Sequence, residues 1–345
     1  MMVLMPTIRD VAADAGVAPS VVSYALSGKK KLPKSTVDRV LASVAKLNYR
    51  PDPAARALAL GRTNILGFLA SVSVDTPSTD VDIFMRFVRG AMYAARPHGL
   101  DVLVMGRGDV ELTGDILADA LLVMDVRVVD PRIELLQERR IPTVLIGLPP
   151  EGSGLSGVDL DWPEAGRLMV RHLFDLGHRQ IAVLVQPLEL PGREFAFRSQ
   201  FEAAVRDEAA RRGIAIAVEP CHYHANAADE WLAEVQRSLP EVTGIIALNV
   251  AALPNILEML RQRGIRVPTH MSVLALAPAD EFAKEHGDIT VVDLPGDLMV
   301  SRAVARAVSE LEGAAPGTIE LLAPHMVHHG STGPAPDSST ALLLK

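Results

Sequence analysis

Thr7-Ile8-Arg9-Asp10-Val11-Ala12-Ala13-Asp14-Ala15-Gly16-Val17-Ala18-Pro19-Ser20-Val21-Val22-Ser23-Tyr24-Ala25-Leu26 is the stretch on which the reading of this chain turns. Thr7 is an N-cap residue, and Ile8, Val11, Ala12 and Ala15 fall on one face of a helix that Gly16 ends in the left-handed conformation glycine tolerates. Pro19 suits the first position of a second helix, whose Val22, Ala25 and Leu26 point inward. Two short helices joined by Gly16-Val17-Ala18 spell a helix-turn-helix. After Lys29-Lys30-Lys31-Leu32-Pro33, the run Ser35-Thr36-Val37-Asp38 predicts a capping-box start for a third helix reaching Leu47, with Val37, Val40, Leu41, Val44 and Leu47 closing a three-helix core.

Further on, Asp52 as N-cap, Pro53 at the first position and Gly61 past the end spell a helix of about two turns. Alone in water so short a helix does not recover the cost of nucleation, so it needs something to dock on. Charge follows the same division. The total is −8, but residues 1–62 carry ten Lys/Arg against four acids, +6, which leaves −14 for the remainder. A basic head on an acidic body is the distribution of a nucleic-acid-binding protein, although a basic tail of another purpose produces it too.

Thr7-Ile8-Arg9-Asp10-Val11-Ala12, Ala15-Gly16-Val17, Val22-Ser23, Leu26-Ser27-Gly28, Arg39-Val40-Leu41 and Leu47-Asn48-Tyr49-Arg50-Pro51 together resemble the headpiece of the lactose-repressor (LacI/GalR) family of bacterial transcription regulators. The resemblance implies that the second helix enters the major groove, with Pro19, Ser20 and Tyr24 facing the bases. Many relatives carry arginine where Tyr24 stands, and a tyrosine cannot make arginine's bidentate contact to guanine, which leaves the preferred half-site open. Thr7, Ser23, Lys29, Lys30, Lys31 and Lys34 are expected on phosphates, and Tyr49, Ala55 and Arg56 are assigned to the same interface. Leu58 stands where the family presses a leucine into the minor groove at the operator centre. A triple lysine in isolation would read as a solvated loop; behind a helix-turn-helix, phosphate contact is the better reading.

From Asn64 onward short apolar runs alternate with amphipathic stretches. The predicted strands are Ile65–Ala70, Asp101–Met105, Ala120–Met124, Thr143–Ile146, Ile181–Val185, Gly244–Leu248, Ser272–Ala277 and Thr290–Val292, with helices between them. Alternation of this kind means an α/β architecture with parallel sheets, and so many strands point to two sheets. The resemblance continues in Leu176-Gly177-His178 and in Arg263-Gly264-Ile265-Arg266-Val267-Pro268. It implies an α/β chain with an all-α helix-turn-helix headpiece (1–50), a hinge (51–62) and a periplasmic-binding-protein-like core of two subdomains. These are expected at 63–160 plus 289–317 and at 161–288 plus 318–332, followed by a disordered tail at 333–345.

An effector in the cleft between the subdomains is implied in turn. Sugar-binding relatives carry carboxylates where this chain has Asn249-Val250 and Ala275-Leu276-Ala277-Pro278, and polyol hydroxyls left unpaired in a buried site cost about 1–3 kcal/mol each. The expectation is therefore an effector other than a simple sugar, near Phe84, Trp162, Asn249, Ala277 and either Arg193 or Arg198; the competing reading is that Phe84 and Trp162 only fill core. The segment 106–116 also looks too short for the helix that relatives place there.

Gly106-Arg107-Gly108 fails as a dinucleotide fingerprint because its third glycine would fall at Glu111. The histidines at 222, 224, 325, 328 and 329 lack the convergence a zinc site needs, so no metal and no cofactor are expected. The single cysteine, Cys221, rules out an intramolecular disulfide, and no run approaches the roughly 18 apolar residues of a membrane span. The reading is thus a cytoplasmic, homodimeric, operator-binding repressor and not an enzyme, with no membrane partner. Its rivals are an α/β enzyme or small-molecule-binding protein with an accessory basic head, and a regulator that has lost effector response.

Overall fold

The computed structural model describes residues 6–27, 30–50, 61–69, 78–106, 116–187, 194–280 and 288–336. They divide into two compact units, up to Asn64 and from Ile65 onward.

Among the described residues, the first unit carries three helices, α1 (Ile8–Ala15), α2 (Pro19–Ser27) and α3 (Lys34–Lys46). The Thr7 backbone N–H and hydroxyl both donate to Asp10 Oδ2, at 2.7 and 2.8 Å, and the Asp10 N–H returns to Thr7 Oγ1, so the first turn carries a complete capping box. Gly16 closes α1 at φ +62°, a conformation costly for any residue with a Cβ. Val11, Ala12, Ala15, Val22 and Val40 form the buried core, with Ile8, Val17, Leu26, Val44, Leu47 and Tyr49 packed against it. Lys46 pairs with Asp14 at 2.6 Å and ties α3 to α1. Two expectations are corrected here. The third helix begins at Lys34 behind Pro33 with no side-chain cap, because Pro33 already fixes the entering backbone and the box at Ser35 falls inside the helix. Leu41 is 47% exposed, lying on the outer face of α3 one position past buried Val40.

The second unit carries two sheets of six strands. In chain order the elements are β1 (Ile65–Leu69), α4 (Ser78–Ala95), β2 (Asp101–Met105), β3 (Ala120–Val123), α5 (Arg132–Arg139), β4 (Thr143–Ile146), β5 (Ser156–Leu160), α6 (Trp162–Asp175), β6 (Gln180–Val185), α7 (Ala196–Arg212), β7 (Ala215–Pro220), α8 (Ala227–Ser238), β8 (Gly244–Ala247), α9 (Leu253–Gln262), β9 (Ser272–Ala277), β10 (Thr290–Asp293), α10 (Gly296–Leu311), β11 (Ile319–Leu322) and β12 (Met326–Val327). The first sheet runs β11-β5-β4-β3-β1-β2 and the second β12-β10-β9-β8-β6-β7. Every pairing is parallel except β10 with β12. Central strands such as β3, β4, β8 and β9 are buried throughout, the apolar signature of parallel sheets covered on both faces.

The chain crosses between these lobes three times, and the crossings differ from the expected boundaries. β10 pairs with β9 and belongs to the second lobe, so the chain returns to the first lobe at 294–295, where α10 packs on α4 and on β3, β4 and β5. β11 pairs with β5 in the first lobe, and the last crossing falls at 323–325, before β12. An apolar run alone cannot say which sheet a strand joins; Ser156 does. Its hydroxyl donates to Glu310 Oε1 of α10 at 2.6 Å and accepts from the N–H groups of Gly317 and Thr318, which pins 317–322 beside β5.

The expected disordered end is likewise corrected at 333–336. The Gly333 N–H donates to Ser272 Oγ at 3.0 Å and the Ala335 N–H to the Leu176 carbonyl at 2.8 Å, so the chain continues as a strap on the second lobe. Residues 337–345, and the short segment at 107–115, lie outside the described residues.

Candidate functional site

In the helical unit, α2 presents Pro19 and Ser20 to solvent, with Tyr24 one turn after Ser20 and 38% exposed. The helix sequence Pro-Ser-Val-Val-Ser-Tyr-Ala-Leu-Ser contains no charged side chain. Ser23 is half-buried, and Lys30, Lys31 and Lys34 are exposed. The Lys30 ammonium lies 5.7 Å from the centroid of the Tyr24 ring, within cation–π range. Thr7 is exposed, but its hydroxyl proton is committed to Asp10. Those hydrogen bonds from Thr7 hold the Asp10 carboxyl below the ordinary range. Tyr49 is half-buried and packs against the small core. Lys29, Ala55, Arg56 and Leu58 lie outside the described residues.

In the two-lobed unit, the segments that follow β3 and β6 lie beyond the C-terminal ends of their strands, where α/β folds bind ligands. Among the described residues, one isolated backbone bridge joins the two lobes there. Arg127 pairs with Phe195 as an antiparallel bridge, in which the Val128 N–H donates to the Glu194 carbonyl at 2.9 Å and the Ala196 N–H to the Val126 carbonyl at 2.8 Å. The loop that reaches across is braced from beneath. Arg132 is 2% exposed; it donates to both carboxylate oxygens of Asp130, at 2.9 and 2.7 Å, and to the carbonyls of Met124 and Asp125. Burial pushes the Asp130 carboxyl up, but the Arg132 guanidinium outweighs it and the group stays ionised below the usual range.

The expected effector residues fare differently. Phe84 is half-buried, edge-on to Phe68 with centroids 6.0 Å apart. Trp162 is only 6% exposed; it packs on Phe197 at 4.8 Å, and its Nε1–H donates to Asp159 Oδ1 at 2.7 Å. Its ring is therefore already covered, which removes the open stacking surface expected of it. Asn249 is fully buried and spent on the backbone. Its Nδ2 donates to the carbonyls of Cys221 and Val185, and Oδ1 accepts from the Ala252 N–H, so it fixes the turn after β8. Ala277 is fully buried at the end of β9. Arg198 donates to Glu202 and to the Gln186 carbonyl, within its own lobe. Arg193 lies outside the described residues.

Two groups at this end of the first lobe escaped the sequence reading. Asp80 opens α4 beyond β1, and Asp125 follows β3 at φ +56°. Burial, together with the Asp125 charge, pushes the Asp80 carboxyl up to about 6. A signal existed for Asp125, which closely follows the apolar strand β3 on the side where such sheets bind ligands. Among the described residues no set of three or more His, Cys, Asp or Glu side chains is placed to hold a metal. Nor is any described helix long and apolar enough to cross a membrane.

A helix-turn-helix unit followed by a two-lobed parallel α/β body defines a DNA-binding regulator built on a ligand-binding frame. The comparisons agree. Residues 7–52 match the model for bacterial regulatory proteins of the lacI family, and residues 155–332 match that for a periplasmic binding protein-like domain. The chain belongs to the lacI family of bacterial regulatory proteins and is a sequence-specific DNA-binding transcription regulator. It is 26% identical to the HTH-type transcriptional regulator CelR of Thermobifida fusca, covering 92% of this chain and 95% of that one. It is 28% identical to the regulator AglR of Rhizobium meliloti, with 96% of each covered. Among solved structures, a lac repressor dimer bound to operator and the anti-inducer ONPF shares the fold with a TM-score of 0.80 at 21% identity, over 95% of this chain and 99% of that one. A CelR–cellobiose complex matches with a TM-score of 0.66 at 22% identity, over 94% and 99%.

Proposed function

We propose that the protein is a homodimeric repressor whose operator affinity is set by a small molecule held between the two lobes. The observation that carries the reading is the frame itself: two lobes, each a largely parallel sheet in the same strand order, joined by three crossings and, among the described residues, by a backbone bridge between 126–128 and 194–196. A ligand that binds one lobe arrangement more tightly shifts the population toward it, and by reciprocity the operator changes ligand affinity by the same factor. Residues 51–62, with Ala55, Arg56 and Leu58, serve as the hinge that passes this state to a head formed by residues 1–50. Binding its operator places the protein in the cytoplasm.

A second copy fits the first lobe. Met85, Met92 and Tyr93 on α4, Leu298 on α10 and Val104 on β2 are exposed, Tyr93 at 71%. Because α4 packs between β2 and α10, these side chains belong to one face. Contiguous apolar surface of this kind is costly in water unless covered. Two heads held by such a pairing read a two-fold symmetric site.

Positions 249–250 and 275–278 carry no carboxylate for a sugar's hydroxyls, but Asp80 and Asp125 bring two to the same end of the first lobe. A solved CelR structure of the same fold holds cellobiose, so disaccharides belong in the panel beside less hydroxylated molecules. Calorimetric titration of that panel, followed by operator binding with and without any hit, tests the reading. A stoichiometric ligand that shifts operator affinity is expected; a ligand that binds without shifting it overturns the coupling. Leu58→Ala is expected to weaken operator binding while leaving the body folded, as read by fluorescence titration and circular dichroism.

A further inference from the structure

The reading helix brings no charge of its own to DNA. From Pro19 to Ser27 it offers hydroxyls, a phenol and apolar groups, and its flanking exposed positions, Ser20 and Tyr24, share one face. A phenol is one O–H donor or acceptor, whereas the guanine edge in the major groove shows two acceptors, N7 and O6, and is met best by a cationic side chain with more than one donor. The structure brings such a side chain to this face from outside the helix. Lys30 lies in the following loop, yet its ammonium sits 5.7 Å from the Tyr24 ring centroid. Attraction of a cation to an exposed aromatic face is modest, but it suffices to bias a flexible four-carbon stem toward the ring and away from the solvent directions open to Lys31 and Lys34.

We propose that Tyr24 and Lys30 act as one reading unit, in which Lys30 presents its ammonium to the acceptor edge of a guanine beside Tyr24 and thereby selects sequence instead of holding phosphate. The inference rests on the operator-binding reading above. It separates Lys30 from its neighbours. A lysine on phosphate contributes to every DNA sequence alike and to the salt dependence, whereas a lysine on a base edge contributes to one base at one position.

The test is operator selection from a random duplex pool with the full-length protein, followed by titration of single-base operator variants at several salt concentrations. The wild-type protein is expected to favour guanine at one position of each half-site. In Lys30→Met that preference should fall by about tenfold or more while the other positions keep theirs. Lys30→Arg should retain it. In Lys31→Met affinity should fall about equally for all variants, and the salt slope should drop by about one. Tyr24→Ala, which removes the ring, should lose the same guanine preference, and the double variant Tyr24→Ala/Lys30→Met should discriminate at that position no worse than either single one. If Lys30→Met instead weakens all operators equally and keeps the guanine preference, Lys30 is a phosphate contact and the proposal is overturned. A wild-type protein that selects no sequence at all overturns the operator-binding reading itself, an outcome that no lysine variant imitates.

Discussion

The first lobe of the body orders its strands β2-β1-β3-β4-β5-β11 and the second β7-β6-β8-β9-β10-β12, so five strands of each follow the same relative path before a sixth closes the edge. The sixth strands differ. β11 runs parallel to β5 over four residues, whereas β12 pairs antiparallel with β10 over two. The buried polar chemistry differs more. In the second lobe His178 is fully buried, with Nδ1 2.8 Å from Thr243 Oγ1 and Nε2 2.9 Å from Ser272 Oγ and 3.2 Å from the Gly333 carbonyl. In the first lobe the buried Asp159 accepts from Trp162 Nε1 and the Leu160 N–H. One topology thus tolerates opposite ionisable groups in its buried regions, because burial asks only that polar atoms be paired.

If the lobes are equivalent frames, matched cavities should cost the same. Phe68 on β1 and Phe201 on α7 are both fully buried, the latter beneath Gly166, where an added Cβ would meet Val205 and the Phe201 carbonyl. Phe68→Ala and Phe201→Ala are each expected to cost about 3–5 kcal/mol in chemical denaturation. A difference between them beyond about 2 kcal/mol would show that one lobe closes over a void and the other does not.

The ionisable groups should split the lobes by pH. Burial pushes His178 down to about 4. The unfolded chain therefore binds the extra proton first, and the stability that neutral His178 contributes above about pH 6.5 is lost as pH falls toward 4, about 3 kcal/mol in full. Asp159 runs the other way. Burial pushes it up to about 7, so the stability of its protonated form is complete below about pH 4 and is lost as pH rises through 7. Between pH 4 and 6.5 the two slopes oppose. Relative to wild type, His178→Gln should lose the gain in stability with rising pH across that window, and Asp159→Asn should steepen it; denaturation midpoints at pH 4.5 and 6.5 measure both, and unchanged differences would place neither group where its burial requires.

How much of this was legible in the sequence depends on what each element must satisfy. The strands Asp101–Met105, Thr143–Ile146 and Ser272–Ala277 appear where their apolar runs predict, and α1 matches residue for residue, because cap, periodicity and glycine stop agree locally. The apolar pattern does not reveal β5: Ser156, Gly157 and Asp159 interrupt its run, and Ser156 is satisfied in the core by partners distant in sequence, Glu310, Gly317 and Thr318. The same holds in the cleft. Asn249 and Trp162 have the chemistry of ligand contacts, yet the fold uses both internally, while Asp80 and Asp125 come together only once β1 and β3 are neighbours. The Tyr24–Lys30 contact lies across a loop, where no periodicity speaks.

The bridge between the lobes allows the finest test of whether they move as two bodies. Ala196 is the first residue of α7, and its N–H donates to the Val126 carbonyl on the other lobe. At that helical position proline is well tolerated, since no intrahelical bond needs the N–H, and the preceding Phe195 already has the extended conformation that a proline demands (φ −69°, ψ 134°). Ala196→Pro therefore removes one of the two backbone hydrogen bonds of the bridge and leaves α7 intact. Loss of one such bond is worth about 1 kcal/mol, or roughly a fivefold shift between bridged and unbridged arrangements. Operator affinity measured without effector should move by up to that factor, with circular dichroism unchanged. An affinity that stays fixed, in a variant whose small-angle scattering shows the lobes further apart, would mean that lobe separation is not what the head senses.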